Sequence, residues 1–86
     1  MHSVELLEQS LAVAEKLGYG IRHEWLGGVG GGACEFSGRK WIFVDLSLSV
    51  LEQLDQVTQA LQADPGLHLI EVPSEIQSSL GLKRAA

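Results

Sequence analysis

Apolar residues near the N-terminus fall at Val4, Leu7, Leu11, Ala14 and Leu17, with Glu5, Glu8, Gln9, Glu15 and Lys16 between them. Steps of three and four put the apolar set on one face, so the spacing predicts an amphipathic helix over about residues 4–17. Ser3 is placed to cap its start, and Gly18 to end it in the left-handed conformation. Leu6 and Val13 widen the stripe to that of a helix lying on a sheet. From Tyr19 to Leu26 the period changes to two: Tyr19, Ile21, His23 and Trp25 alternate with Gly20, Arg22, Glu24 and Leu26, which predicts a strand over about 19–26.

The run Gly27, Gly28, Val29, Gly30, Gly31, Gly32 breaks both periods and reads as a flexible connection or bulge between strands. A short strand over 33–37 follows, then a tight hairpin turn at Gly38-Arg39. The stretch 40–46 holds Trp41, Ile42, Phe43, Val44 and Leu46, so both faces of that strand are apolar. Ser49 and Glu52 have capping-box spacing, opening a helix over about 50–63 with Leu51, Leu54, Val57 and Leu61 inward and a stop at Asp64-Pro65. Pro73 opens a short last helix through about residue 80, Gly81 stops it, and Lys83 to Ala86 are expected to fray. The expected fold is α+β: one domain over 1–86, αβββα with a short C-terminal helix, its sheet an antiparallel three-stranded meander packed by helices.

Composition narrows the function. A chain of 86 residues buries only about 60% of the surface its unfolded form exposes, so most of its 45% hydrophobic residues are needed for the core. Eleven acidic against six basic residues leave a charge of −5, and the dense basic groups are Arg39-Lys40 and Lys83-Arg84 alone. Phosphate recognition needs clustered cations, so nucleic acid is excluded as a partner. No apolar run reaches the roughly 18 residues of a membrane span, and Met1-His2-Ser3 does not begin a signal peptide, so no membrane role and a cytoplasmic location are expected. The single Cys34 leaves no intramolecular disulfide, in keeping with a reducing compartment.

Chemistry-bearing residues are sparse. Gly28-Val29-Gly30-Gly31-Gly32-Ala33 matches the dinucleotide pattern formally, but that pattern needs a helix directly after the loop, and Ala33-Cys34-Glu35-Phe36 is extended. His2, His23, His68, Cys34, Glu24, Glu35 and Asp45 lack the spacing of a zinc site, and no signature surrounds Cys34 as a nucleophile. No cofactor, metal or catalytic residue is assigned. The aromatics are concentrated instead: Tyr19, Trp25, Phe36, Trp41 and Phe43 all fall in the predicted sheet region. If helices cover one face, Trp41 and Phe43 remain on the other beside Trp25, as a patch suited to a partner.

The order of helix, Leu17-Gly18, strand, glycine-rich connection, short strand, Gly38-Arg39-Lys40-Trp41-Ile42-Phe43-Val44 strand and capped helix resembles the core of the ImmA/IrrE family of small zinc peptidases, over roughly residues 6–63. In that family the helix after the last strand carries His-Glu-x-x-His, two zinc ligands one turn apart with a glutamate as general base. The matching stretch here, Thr58-Gln59-Ala60-Leu61-Gln62, keeps neither ligand nor carboxylate. The resemblance therefore implies a catalytically dead relative, or a fold-mate, kept for binding, with no activity carried over.

The expected function is a small non-catalytic protein-interaction domain, self-associating as a homo-oligomer or docking on a protein through the sheet. Its expected contact residues are Trp25, Trp41 and Phe43 with Gly28, Gly30 and Gly31 of the loop. Two alternatives come from other classes: a metal- or thiol-dependent enzyme using His23, Cys34 or His68, and a small-ligand site at Gly27–Gly32.

Overall fold

The strand with two apolar faces occupies the middle of the sheet. The computed structural model describes residues 2–82. In it, α1 (Ser3–Lys16) leads to β1 (Gly20–Glu24), β2 (Gly32–Phe36) and β3 (Arg39–Asp45). Helix α2 (Val50–Gln62), a 3-10 turn (Pro65–Leu69) and a single helical turn, α3 (Ser74–Gln77), complete the chain. The expected fraying of Lys83 to Ala86 lies outside the described residues.

The α+β class holds, but the strand pairing corrects the meander. Strand order is β1-β3-β2, with β1 parallel to β3 and β2 antiparallel to it, so the sheet is mixed. Residues 25–31 do not close a hairpin between β1 and β2. They cross the C-terminal end of β3, a gap of two strand spacings or about 9.5 Å, and β3 slots between its neighbours with both edges paired. The β2–β3 hairpin turns at Ser37 and Gly38, φ 55° and 74°, one residue earlier than the expected Gly38-Arg39. Two consecutive left-handed residues twist the connection to match the strands, and Arg39 thereby joins β3 opposite Phe36.

Ile42 and Val44 point to the inner face and are 0% and 1% exposed. They meet Leu7, Val13 and Ala14 of α1, Val57 and Leu61 of α2, and Leu67, Ile76 and Leu80 from the C-terminal segment. The shortest extent of the molecule, 15 Å, leaves room for one sheet and one helical layer. Helix α2 carries the expected capping box: Ser49 Oγ accepts from Glu52 N at 3.2 Å, and Glu52 Oε1 accepts from Ser49 N at 3.1 Å. Two local expectations are corrected. Ser3 is the first residue of α1, not its cap; His2 holds the cap position without a side-chain hydrogen bond. Leu51 is exposed: it stands in the first turn of α2, and the buried residues begin only at Gln53 and continue through Val57, Thr58 and Leu61.

Gly20 is required by a close approach. It pairs with Trp41 across β1 and β3, and a Cβ there would lie 2.6 Å from the Trp41 ring. Gly20→Ala should therefore push the indole off β1 and cost about 1–3 kcal/mol, the range for overpacking. The check is a lowered urea midpoint at unchanged slope; Trp41→Leu in the same background, which removes the ring, should recover most of the loss.

Candidate functional site

Parity along the strands decides what the outer face of the sheet displays. Residues paired across strands share a face, so Trp41 and Phe43 of β3 stand with Gly20 and Arg22 of β1 and with Gly32, Cys34 and Phe36 of β2. Phe36 stacks on Trp41 with centroids 6.1 Å apart and planes inclined by 20°, while the Arg39 guanidinium lies 4.7 Å from the indole centroid. Such aromatic and cation–π contacts fix the ring positions without hiding them. Trp41 and Phe43 are half-buried and Phe36 is 56% exposed. Trp25, 76% exposed, lies beyond the end of β1 in the crossing loop, so it borders the sheet instead of sitting on it.

The crossing loop is pinned by one carboxylate. Asp45, at the end of β3 and wholly buried, accepts from Leu26 N at 3.0 Å, Gly28 N at 2.6 Å and Ser47 N at 2.8 Å. Gly27 N donates to Ser47 Oγ at 3.0 Å, fastening the next amide to the same corner. Burial alone would raise the Asp45 pKa; the amides of Leu26, Ser47 and Gly28 outweigh it and hold the carboxyl below its usual value. Gly28 thus spends its amide inside the protein. Gly31 lies against the Gln56 side chain of α2, where an added Cβ would collide with the amide group, and Gly30 rests on Leu26. The cluster is a crossing tied at its start by hydrogen bonds and fitted against α2 at Gly31.

A second carboxylate joins the opposite end of the sheet to the helical layer. Asp64 Oδ2 accepts from the Tyr19 hydroxyl at 2.9 Å and from Lys40 Nζ at 3.1 Å, and Oδ1 accepts from Gly66 N at 2.8 Å. Lys40 Nζ also lies 4.5 Å from the Tyr19 ring centroid. The Gly66 amide acts most strongly on Asp64 and, with Tyr19 and Lys40, overcomes burial to lower its pKa. Tyr19 is pushed up to about 12 by burial first, then by its bond to Asp64 and the charges of Asp64 and Glu35. Sequence reading missed this triad: Asp64-Pro65-Gly66 announces a turn, but nothing local says that its carboxylate meets residues 24 and 45 positions away.

The residues of the enzymatic alternative are not brought together. His23 pairs with Val44 on the inner parity and Cys34 with Trp41 on the outer one, with β3 between them, so the imidazole cannot reach the thiol. His68 lies in the 3-10 turn, outside both strands. Among the described residues no group of three His, Cys, Asp or Glu side chains is placed to hold a metal ion. Where the peptidase resemblance would put zinc chemistry, Thr58 donates to Asp55 O and Gln62 Nε2 to Ser79 O. No family model, curated protein or solved structure matches this chain.

The two carboxylates set an acid limit on stability. Their folded pKa values lie below the unfolded value of about 3.9, so their contribution is complete above about pH 5 and is lost as pH falls through the folded values. Tyr19 works in the other direction: its contribution is present below about pH 9 and is lost as pH rises from 10 towards about 12. Stability should be flat between these limits and fall outside them. Asp45→Asn, which turns a donor NH2 toward the Leu26 or Gly28 amide, should lower the urea midpoint at pH 7, speed amide exchange at both residues, and flatten the acid limb. Unchanged exchange at Leu26 and Gly28 would show that the carboxylate does not hold the loop.

Proposed function

We propose that this chain is a small non-catalytic protein-interaction domain, self-associating or docking on a protein through its sheet. The observation that carries the reading is the one-sided cover of β3. Ile42 and Val44 are sealed under two helices, while on the other face Trp41 and Phe43 stay half-buried and the exposed Phe36 stacks on Trp41 beside Arg39. A rigid aromatic group flanked by a guanidinium, on a face with no helix among the described residues, has the composition of an interface centre. The separation of His23 from Cys34 supports the non-catalytic part. No described helix is long and apolar enough to cross a membrane. A cytoplasmic setting suits a chain whose cysteine, Cys34, is exposed and unpaired in a disulfide. The glycine loop enters as support: Gly28 gives its amide to Asp45, Gly31 lies against Gln56, and Gly28 and Gly30 remain exposed beside Trp25 at the end of the sheet.

Size-exclusion chromatography with light scattering, from low to high micromolar protein, tests the self-associating form. The mass should rise above 9.3 kDa with concentration, and Trp41→Ala should weaken association about tenfold, as expected for an interface residue costing about 1.4 kcal/mol. A 9.3 kDa species at every concentration, identical for both proteins, would count against it.

A further inference from the structure

The two edges of the sheet are not equivalent. On β1 an ion pair, Arg22 with Glu24 at 2.7 Å, lies along the outer face, the charged dressing that discourages strand addition. Strand β2 is more lightly guarded: it contains no proline and no lysine, its one charge, Glu35, has the helix-side parity, and Ala33 to Phe36 are exposed throughout. Among the described residues its outer edge has no strand partner, because β2 is the last strand in the order β1-β3-β2.

Resting on the interaction reading above, we propose that a second copy of this chain adds to that edge, β2 against β2 antiparallel, with Cys34 facing Cys34 on the two-fold axis. The sequence of β2 selects both the partner and the register. If the two helical layers stay on one side, only residues of like parity can face each other, so the axis passes through Ala33, Cys34 or Glu35. Centring on Glu35 sets two carboxylates directly opposite, which is destabilising. Centring on Ala33 leaves Glu35 and Phe36 beyond the partner strand. Centring on Cys34 pairs all five residues: Glu35 meets Ala33 of the other copy and Phe36 meets Gly32.

That last pair is complementary in shape. A Cβ on Gly32 would meet nothing within 4 Å, and its φ of 112° disfavours any side chain there, so the space over it stays open in the single copy. The Phe36 ring of the other copy fills it beside Phe43, which pairs with Gly32 on β3. The aromatic group of each copy is thereby extended across a continuous six-stranded sheet. The contact is short compared with the roughly 1,200 Å² at the lower end of stable interfaces, so the dimer is weak and forms in the micromolar range. Each copy carries −5, so added salt strengthens it.

Cys34 reports the register without causing the association. Directly opposed strand residues bring Cβ atoms to about 4.5–5.5 Å, close enough for a disulfide after small adjustment. Diamide, which takes up the two electrons and two protons that the thiols release, should convert the protein to a covalent dimer at concentrations where light scattering detects self-association. In a Cys34→Ser background, Ala33→Cys mixed with Glu35→Cys should cross-link to each other at least tenfold faster than either does to itself. Cys34→Ser alone should keep the noncovalent dimer and the slowed exchange of β2 amides. A dimer that forms without cross-linking at Cys34 and without protection of β2 overturns this pairing while the broader interaction reading stands. A chain that remains monomeric overturns this pairing together with the self-associating form of that reading.

Discussion

The buried carboxylate of Asp45 is what lets three strands adopt a mixed sheet in so short a chain. A parallel pair ordinarily needs a long crossover between its strands. Here β1 and β3 are parallel because β2 intervenes in sequence, and the path from β1 to β2 must cross the end of the strand between them. Such a crossing turns several amides inward with no ladder to receive them, and unpaired buried amides are costly. Asp45 stands at that strand end and accepts from Leu26, Gly28 and Ser47. The glycines follow from this geometry: Gly27 and Gly28, at φ 69° and 87°, curl the chain around the carboxylate.

With the crossing fixed at one end and the Tyr19–Lys40–Asp64 triad at the other, the sheet is fastened at both extremities, at the second of them to the turn that follows α2. Asp64 links the start of β1, the beginning of β3 and the turn after α2 through one side chain. Lys40 is the cation of that junction, and its strand neighbour Arg39 lies over Trp41 on the opposite face. Alternation within one strand thus sends one cation to the structural junction and the next to the aromatic surface.

What the sequence made legible was whatever depends on neighbours along the chain. The 3.6 and 2.0 periods located every long element, the Ser49–Glu52 box appears as spacing requires, and Gly18 ends α1 at φ 94°. Strand order was not legible, because a glycine-rich connection is equally compatible with a hairpin and with a crossing; what separates them is a carboxylate 17 and 19 residues away. The outer-face placement of Trp41 and Phe43 followed from parity with Ile42 and Val44. The group around Trp41 was only half legible: Phe36 joins it because the turn falls at Ser37-Gly38, and Trp25 leaves the strand because β1 ends at Glu24. In Leu51 the pattern misled, since a strongly apolar side chain at a helix start was assigned inward while Gln53 and Thr58 took the buried stripe.

The crossing also governs which surface remains for a partner. By placing β3 centrally it gives the most apolar strand two hydrogen-bonded neighbours, which removes the edge most prone to indiscriminate pairing. The edges it leaves are short and unequal: β1 bears the Arg22–Glu24 pair, and β2 bears a lone glutamate between small residues and Phe36. A meander in sequence order would have put β3 at an edge, with Trp41, Phe43 and a long unpaired backbone exposed together. The mixed order separates these features, keeping the aromatic face on a fully paired strand and confining the open backbone to five residues. Asp45 therefore shapes the outer surface from within, through the path it imposes on residues 25–31.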